Sequence, residues 1–235
     1  MKIISGIYWD QGGRKSSQDS ILLQQVWTNC GRVLLAVVCD GIGGLDQGEN
    51  ASGYVGERLM EIFYEELIPL IQKRKGRKAV LRSLLRCIYG IREDLHRYAA
   101  EREINLGTTM SLLLLWKRRY LILHLGDSRI YHYQRKRRRQ LTRDHSDGGN
   151  HLTKCISSFP YQVPDIHFGR RRGKCAFLLC TDGFYRRQDE TGFSLLYPAK
   201  VDSGQQAQKR LEEMAKLVLK RGEQDNLSAI YVKVY

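Results

Sequence analysis

The sequence predicts a single domain of antiparallel α+β architecture. Its strand-like and helix-like segments come in blocks rather than in strict alternation. Of its 235 residues 42% are hydrophobic, enough at this length to fill one core. Several apolar runs are short, rich in β-branched residues and closed by turn residues, as buried strands are.

Residues 3–9 and 20–27 read as strands on either side of a polar link, 11–19, whose glycines and serines keep it irregular. Val33 to Cys39 is a continuous apolar run closed by Asp40-Gly41-Ile42-Gly43-Gly44, which predicts a buried strand ending in a glycine turn. From Gly48 to Gln72 the positions Val55, Leu59, Ile62, Phe63 and Leu67 recur at helical spacing. From Ala79 to Ala100 so do Leu81, Leu84, Leu85, Ile88, Ile91, Leu95 and Tyr98. Two long amphipathic helices follow from these patterns. Met110 to Trp116 and Tyr120 to Leu125 suit a hairpin turned by Lys117, Arg118 and Arg119. Arg129 to Tyr133 and Gln140 to Thr142 suit a second, turned by the basic run 135–139. Lys174 to Cys180 is another buried strand, closed by Thr181-Asp182-Gly183. A third helix, about Gln205 to Arg221, precedes a last strand from Leu227 to Tyr235.

Composition excludes several classes. The apolar fraction is too high for a disordered chain, and the longest apolar stretches, Ser111 to Trp116 and Tyr120 to Leu125, fall far short of a membrane span. The first ten residues lack the apolar core of a secretory signal, so a cytoplasmic location is expected. The six cysteines form no CxxC pair, which argues against disulfides and structural zinc; Cys39 and Cys180 read as buried packing. The net charge of +14 comes largely in four short runs, 73–78, 117–119, 135–139 and 170–174. Each falls between apolar segments and none interleaves aromatics along a helix face, so solvated turns are expected and nucleic acid ranks last among partners. The field they create would still steer anionic partners inward.

The acids are placed more tellingly. Asp40, Asp127 and Asp182 each close an apolar strand, and Asp225 immediately precedes one. Carboxylates at buried strand ends are costly unless a cation neutralises them, and no Lys or Arg stands directly beside Asp40, Asp182 or Asp225 in sequence. One Asp-Gly pair is an ordinary turn. Two after buried strands, with Gly-Asp-Ser and Asp-Asn at two further strand boundaries, predict a site for a hard cation such as Mg²⁺ or Mn²⁺.

The ordered motifs are Arg14-x-x-x-Gln18-Asp19-Ser20, Val38-Cys39-Asp40-Gly41-Ile42-Gly43-Gly44, Gly107-Thr108-Thr109, Leu125-Gly126-Asp127-Ser128-Arg129, Leu141-Thr142-Arg143-Asp144-His145-Ser146, Cys180-Thr181-Asp182-Gly183 and Asp225-Asn226. Together they run through nearly the whole chain. This set resembles the metal-dependent protein Ser/Thr phosphatases of the type 2C family, particularly the compact bacterial members. The resemblance implies a four-layer α-β-β-α sandwich of two antiparallel sheets with flanking helices. It also implies two Mn²⁺ or Mg²⁺ ions. Asp40 would bridge them, the Gly41 carbonyl would serve one, Asp182 and Asp225 would ligate the other, and Asp127 would reach a third, weaker ion. Arg14 would grip the substrate phosphate. The implied reaction is hydrolysis of phosphoserine and phosphothreonine in proteins, opposing a bacterial Ser/Thr kinase, by a monomer with no membrane partner. Two metals that activate a water and clamp phosphoryl oxygens, with an arginine fork on the phosphate, suit that chemistry.

The chain departs from the family pattern in three places. Gln18 stands where Glu is frequent; its amide oxygen can hold a metal-bound water but brings no charge. Ile42 stands where many eukaryotic members carry a histidine proposed as general acid. After Ser146 a helical flap segment is nearly deleted, the chain passing through Asp147 and residues 148–150 almost directly to His151. These departures leave an alternative, a weakly active or inactive regulatory binding module on the same fold. His124 and His145 read as structural, and Arg129 as an ion-pair partner near Asp127.

Overall fold

A computed structural model describes residues 2–42, 47–147 and 151–235. The chain begins with β1 (Ile3–Asp10), β2 (Asp19–Thr28) and β3 (Gly31–Asp40), followed by a helical stretch. That stretch is α1 (Gly48–Ile62), a π-helical turn at Phe63–Leu67 and α2 (Ile68–Gln72), so the single helix expected from 48 to 72 widens into a bulge in its middle. Next come α3 (Arg77–Arg102), β4 (Gly107–Thr108), β5 (Met110–Trp116), β6 (Arg119–Leu125), β7 (Arg129–Gln134), β8 (Arg137–Gln140), β9 (Ile156–Ser157), β10 (Asp165–Arg170) and β11 (Cys175–Cys180). The chain closes with α4 (Asp182–Tyr185), α5 (Glu190–Ser194), α6 (Gly204–Lys220) and β12 (Leu227–Val234).

Two five-stranded sheets, ordered β1-β12-β11-β7-β8 and β10-β6-β5-β3-β2, pair antiparallel throughout. They pack face to face through Leu34, Ala36, Val38, Leu113 and Ile122 on one side and Ile130, Phe177, Leu179 and Ile230 on the other. Helices α1, α2 and α3 cover the outer face of the second sheet, and α4, α5 and α6 that of the first. The four-layer sandwich explains why β3 and β11 read as unbroken apolar runs. Val33, Leu35, Val37 and Cys39 meet the helices while the alternate residues of β3 meet the opposite sheet, so both faces are dry.

Three expectations change. The basic run 135–139 is not all turn: only Arg135 and Lys136 reverse the chain, and Arg137 to Gln140 pair with β7. Thr142 lies beyond β8, where its hydroxyl accepts from the Ile130 N–H at 3.1 Å. Strand β10, which no apolar run announces, is the edge of the second sheet against β6.

Candidate active site

Antiparallel pairing sets the direction of every strand, and it brings the C-terminal ends of β3, β6 and β11 and the start of β12 to one end of the sandwich. A cleft of about 940 Å³ opens there. It is lined by Arg14, Gln18, Asp40, Gly41, Asp127, Asp182 and Asp225, all seven of the site residues expected from sequence.

Asp40 ends β3 directly across from Asp19, the first residue of β2. Its main chain is clamped on both sides. The Asp40 N–H donates to Thr109 Oγ1 at 2.9 Å, and its carbonyl accepts from Thr109 N at 2.8 Å and from Thr108 Oγ1 at 2.9 Å. Gly41 follows because there is no room for a side chain: a Cβ would stand 2.5 Å from the Gly48 carbonyl. The Arg14 loop is folded by glycine as well. Gly12 has a φ of +64°, and a Cβ there would strike the Asp225 carbonyl at 2.1 Å.

The Asn226 amide sews this loop to β12. It donates to the carbonyls of Gln11 (2.8 Å) and Ser16 (3.1 Å), while its oxygen accepts from Gln18 N at 2.9 Å. Arg14 thereby reaches Asp225 as a fork, Nε to Oδ1 at 3.0 Å and Nη2 to Oδ2 at 2.9 Å. Asp182, the first residue of α4, is bonded by Arg186 one turn on. These two arginines are the cationic partners that adjacent sequence did not offer. Gln18 turns its amide to Glu49 Oε2 at 3.2 Å rather than standing free in the cleft.

The electrostatics are those of crowded acids. Burial, then repulsion from Asp19 and Asp182, pushes Asp40 well above the usual carboxylate range. Burial raises Asp127 to about 6, with Asp182 adding to it, and raises Asp182 itself against the pull of Arg186. Asp19 rises to about 7, again chiefly through burial. Its Oδ2 accepts from Thr181 Oγ1 at 2.9 Å, and its Oδ1 is buried with no partner. Asp19 and Asn226 are site residues that the sequence reading quoted within motifs but gave no role.

Among the described residues no three carboxylate, imidazole or thiol groups converge on one point as a finished ion cage. The donor set nonetheless suits hard divalent cations. Several carboxylates and a glycine carbonyl share one cleft, an acid oxygen is left unpartnered, and the ion pairs of Arg14 and Arg186 offset only part of the charge.

Around the site, His124 lies inside β6, bonded to Ser111 Oγ at 2.9 Å and the Arg143 carbonyl at 3.0 Å, and burial lowers it to about 4. His145 stacks on it with centroids 4.9 Å apart. Arg129 pairs with Asp144, at 2.7 Å for its shortest contact, and not with Asp127. Cys39 and Cys180 are buried.

Comparison with known proteins adds to this geometry. A family model described as Protein phosphatase 2C matches residues 13–230. The serine/threonine phosphatase stp of Listeria welshimeri is 26% identical over 234 residues, covering 85% of this chain and 84% of that protein. Serine/threonine phosphatase Stp1 from Staphylococcus aureus superposes with a TM-score of 0.84 at 22% identity, over 100% of this chain and 96% of that one. The catalytic domain of the serine threonine protein phosphatase PstP, in complex with two manganese ions, gives a TM-score of 0.78 at 23% identity over 99% of each chain.

Proposed function

The chain belongs to the protein phosphatase 2C family, and from that premise we propose that it hydrolyses phosphoserine and phosphothreonine in proteins with the help of two hard divalent cations. The observation that carries the reading is the gathering of Asp40, Asp182, Asp225 and Arg14 in one cleft. Asp40, the Gly41 carbonyl, Asp182 and Asp225 would hold the ions, and Asp127 a third. The two-manganese PstP structure supports Mn²⁺, with Mg²⁺ as the other candidate.

Bound ions of this kind supply an activated water and neutralise charge on the phosphoryl group. The chain's own residues do the rest. Arg14 presents a planar fork suited to a phosphate, and the Asn226 clamp fixes the loop that aims it. Thr108 and Thr109 hold the Asp40 peptide still. Ile42 offers no proton at the cleft wall, so the leaving serine or threonine oxygen would take its proton from solvent.

The substrates would be phosphoproteins made by a Ser/Thr kinase. No helix among the described residues is long and apolar enough to cross a membrane. We read the chain as one catalytic domain with its flap shortened between Asp147 and His151; residues 148–150, like Gly43 and Gly44 of the Asp40 motif, lie outside the described residues.

The test is hydrolysis of a phosphothreonine peptide with Mn²⁺, with excess EDTA and with Asp182→Asn, alongside calorimetric Mn²⁺ titration of both proteins. Metal-dependent turnover that collapses in the variant, with weakened Mn²⁺ binding, is expected. Absence of turnover in folded protein that binds Mn²⁺ would instead support the regulatory module, against which the presence of all three aspartates in the cleft counts.

A further inference from the structure

The four basic runs share one end of the sandwich, and it is the end opposite the cleft. The turns 117–119 and 135–137 and the segment 170–174 lie where β5, β7 and β10 end. Buried Arg171 fastens two of them together. Its N–H donates to the Arg118 carbonyl at 2.9 Å, and its guanidinium donates to the carbonyls of Lys117 at 2.7 and 3.1 Å and of Tyr235 at 3.4 Å. Gln134, at the end of β7, donates to the Arg172 carbonyl at 2.6 Å and adds the third. The fourth run, 73–78, flanks them. Cys30, in the turn between β2 and β3, contacts the Gln72 carbonyl, and the Arg77 guanidinium lies 5.2 Å over Phe168 of β10.

Acids are sparse along these runs; Asp202, bonded to Lys233 of β12 at 3.0 Å, feels one of their cations, Lys174. No Asp or Glu occurs in 104–126, 128–143 or 166–181, nor within 73–78. Among the described residues the one member of the four runs held in an ion pair is Arg138, with Glu190 on α5. The charge is therefore unevenly placed, with Asp40, Asp127, Asp182 and Asp225 lining the cleft and, among the described residues, most cations of the four runs without an ion-pair partner at the far pole.

The pole also carries an exposed indole. Trp27, near the end of β2, is 67% exposed, and Arg32 places its guanidinium 4.5 Å over the ring. We propose that this pole docks the protein on an anionic bilayer surface. Cations spread over separate turn tips add their attraction over a broad charged plane, roughly fivefold in affinity for each Lys or Arg that reaches it. An indole among them suits the headgroup layer. The cations do not line one helix face with interleaved aromatics, as stacking of nucleic-acid bases would require. Docked in this way, the protein would keep its cleft facing away from the membrane.

The test is flotation with vesicles of phosphatidylcholine alone, and of phosphatidylcholine with a third phosphatidylglycerol, at about physiological ionic strength. Binding is expected only to the anionic vesicles, weakening as salt rises. Arg135→Gln/Lys136→Gln/Arg137→Gln should weaken it by about tenfold or more, and Trp27→Ala should weaken it further. Both variants should hydrolyse a soluble phosphopeptide at the unaltered rate. Lys209→Gln/Lys216→Gln/Lys220→Gln removes the same charge from exposed positions of α6 and should bind vesicles as the native protein does. The proposal is overturned by equal binding to neutral vesicles or by equal loss in the α6 variant. It is equally overturned if RNA at matched phosphate concentration strips the protein from the vesicles, which would make the pole a nucleic-acid surface.

Discussion

His145 holds Gly126 at both ends of its peptide: the His145 main-chain N–H donates to the Gly126 carbonyl at 2.9 Å, and His145 Nδ1 accepts from the Gly126 N–H at 3.2 Å. Gly126 has a φ of +106° and immediately precedes Asp127. The other ring nitrogen of His145 stands 3.1 Å from Asp165, which also receives Lys154 at 2.8 Å. Tyr185 OH donates to the Asp127 carbonyl at 3.0 Å. The turn that carries Asp127 is thus held directly by His145 and Tyr185, with Asp165 behind the imidazole.

His145→Leu should therefore leave a buried N–H unpartnered and cost about 1–3 kcal/mol of stability. Urea unfolding measures it. A loss of only a few tenths would mean that the main-chain bond from residue 145 and the Tyr185 hydroxyl hold the turn without the imidazole.

Arg14 should matter through its fork as well as its charge. Arg14→Ala removes a charge-assisted bidentate contact and is expected to lower kcat/KM for a phosphopeptide by about 10- to 100-fold. Arg14→Lys should recover only part of that, since an ammonium cannot present two parallel donors. Steady-state kinetics on the three proteins decide it; full activity in the lysine form would show that charge alone suffices.

Asn226→Ala should act on the same loop from beneath. It deletes two donors and one acceptor that fasten Gln11, Ser16 and Gln18, so KM should rise by about an order of magnitude without removing any expected ion ligand. Unchanged KM would mean that the Arg14–Asp225 pair holds the loop by itself.

Removing the ions should make stability fall as pH rises. Asp19 at about 7 and Asp127 at about 6 both lie above their unfolded values, so the folded state binds the extra protons. Their contribution is complete below about pH 4 and is lost as pH passes through 6 and 7. His124, lowered to about 4 from an unfolded value near 6.5, opposes the trend: below about pH 6.5 the unfolded state binds a proton that the folded state does not, so part of the fall is offset there. Metal-free protein in EDTA is expected to lose up to about 1.4 kcal/mol per pH unit for each such group between about pH 4 and its folded value, Asp127 ending near 6 and Asp19 near 7. Saturating Mn²⁺ should flatten the curve, and Asp19→Asn should flatten it in part without metal. Denaturation across that range is the check, and a stability that rises with pH in EDTA would contradict it.

Much of this arrangement was legible because the signals are local. An apolar run closed by Asp-Gly announces both a strand and the carboxylate at its end, and antiparallel pairing then delivers Asp40, Asp127 and Asp182 to the same place. What was hidden depends on contacts distant in sequence. Arg14 and Asp225 are 211 positions apart, and nothing beside Asp225 foretells its partner. Strand β10 carries polar and half-buried residues at the sheet edge, so no apolar run marks it. Arg137 and Arg139 read as turn residues because charge outweighs β-propensity at an exposed edge, yet pairing with β7 extends them. Asp19 looked like one more polar residue in a loop; only its register opposite Asp40 shows that it is buried in the acid cluster.

Strand β1 is an edge strand with a single neighbour, β12, paired from Ile3 with Val234 through Asp10 with Leu227. During synthesis, then, β1 must wait for the much later β12 before it can pair. The Arg14 loop, which hangs between β1 and the residues just before β12, cannot take its place until Asp225 and Asn226 have left the ribosome. Loop closure over so long a span is slow. A chain shortened before Asp225 would keep Asp40, Asp127 and Asp182 but lose the contacts that hold the arginine loop in position.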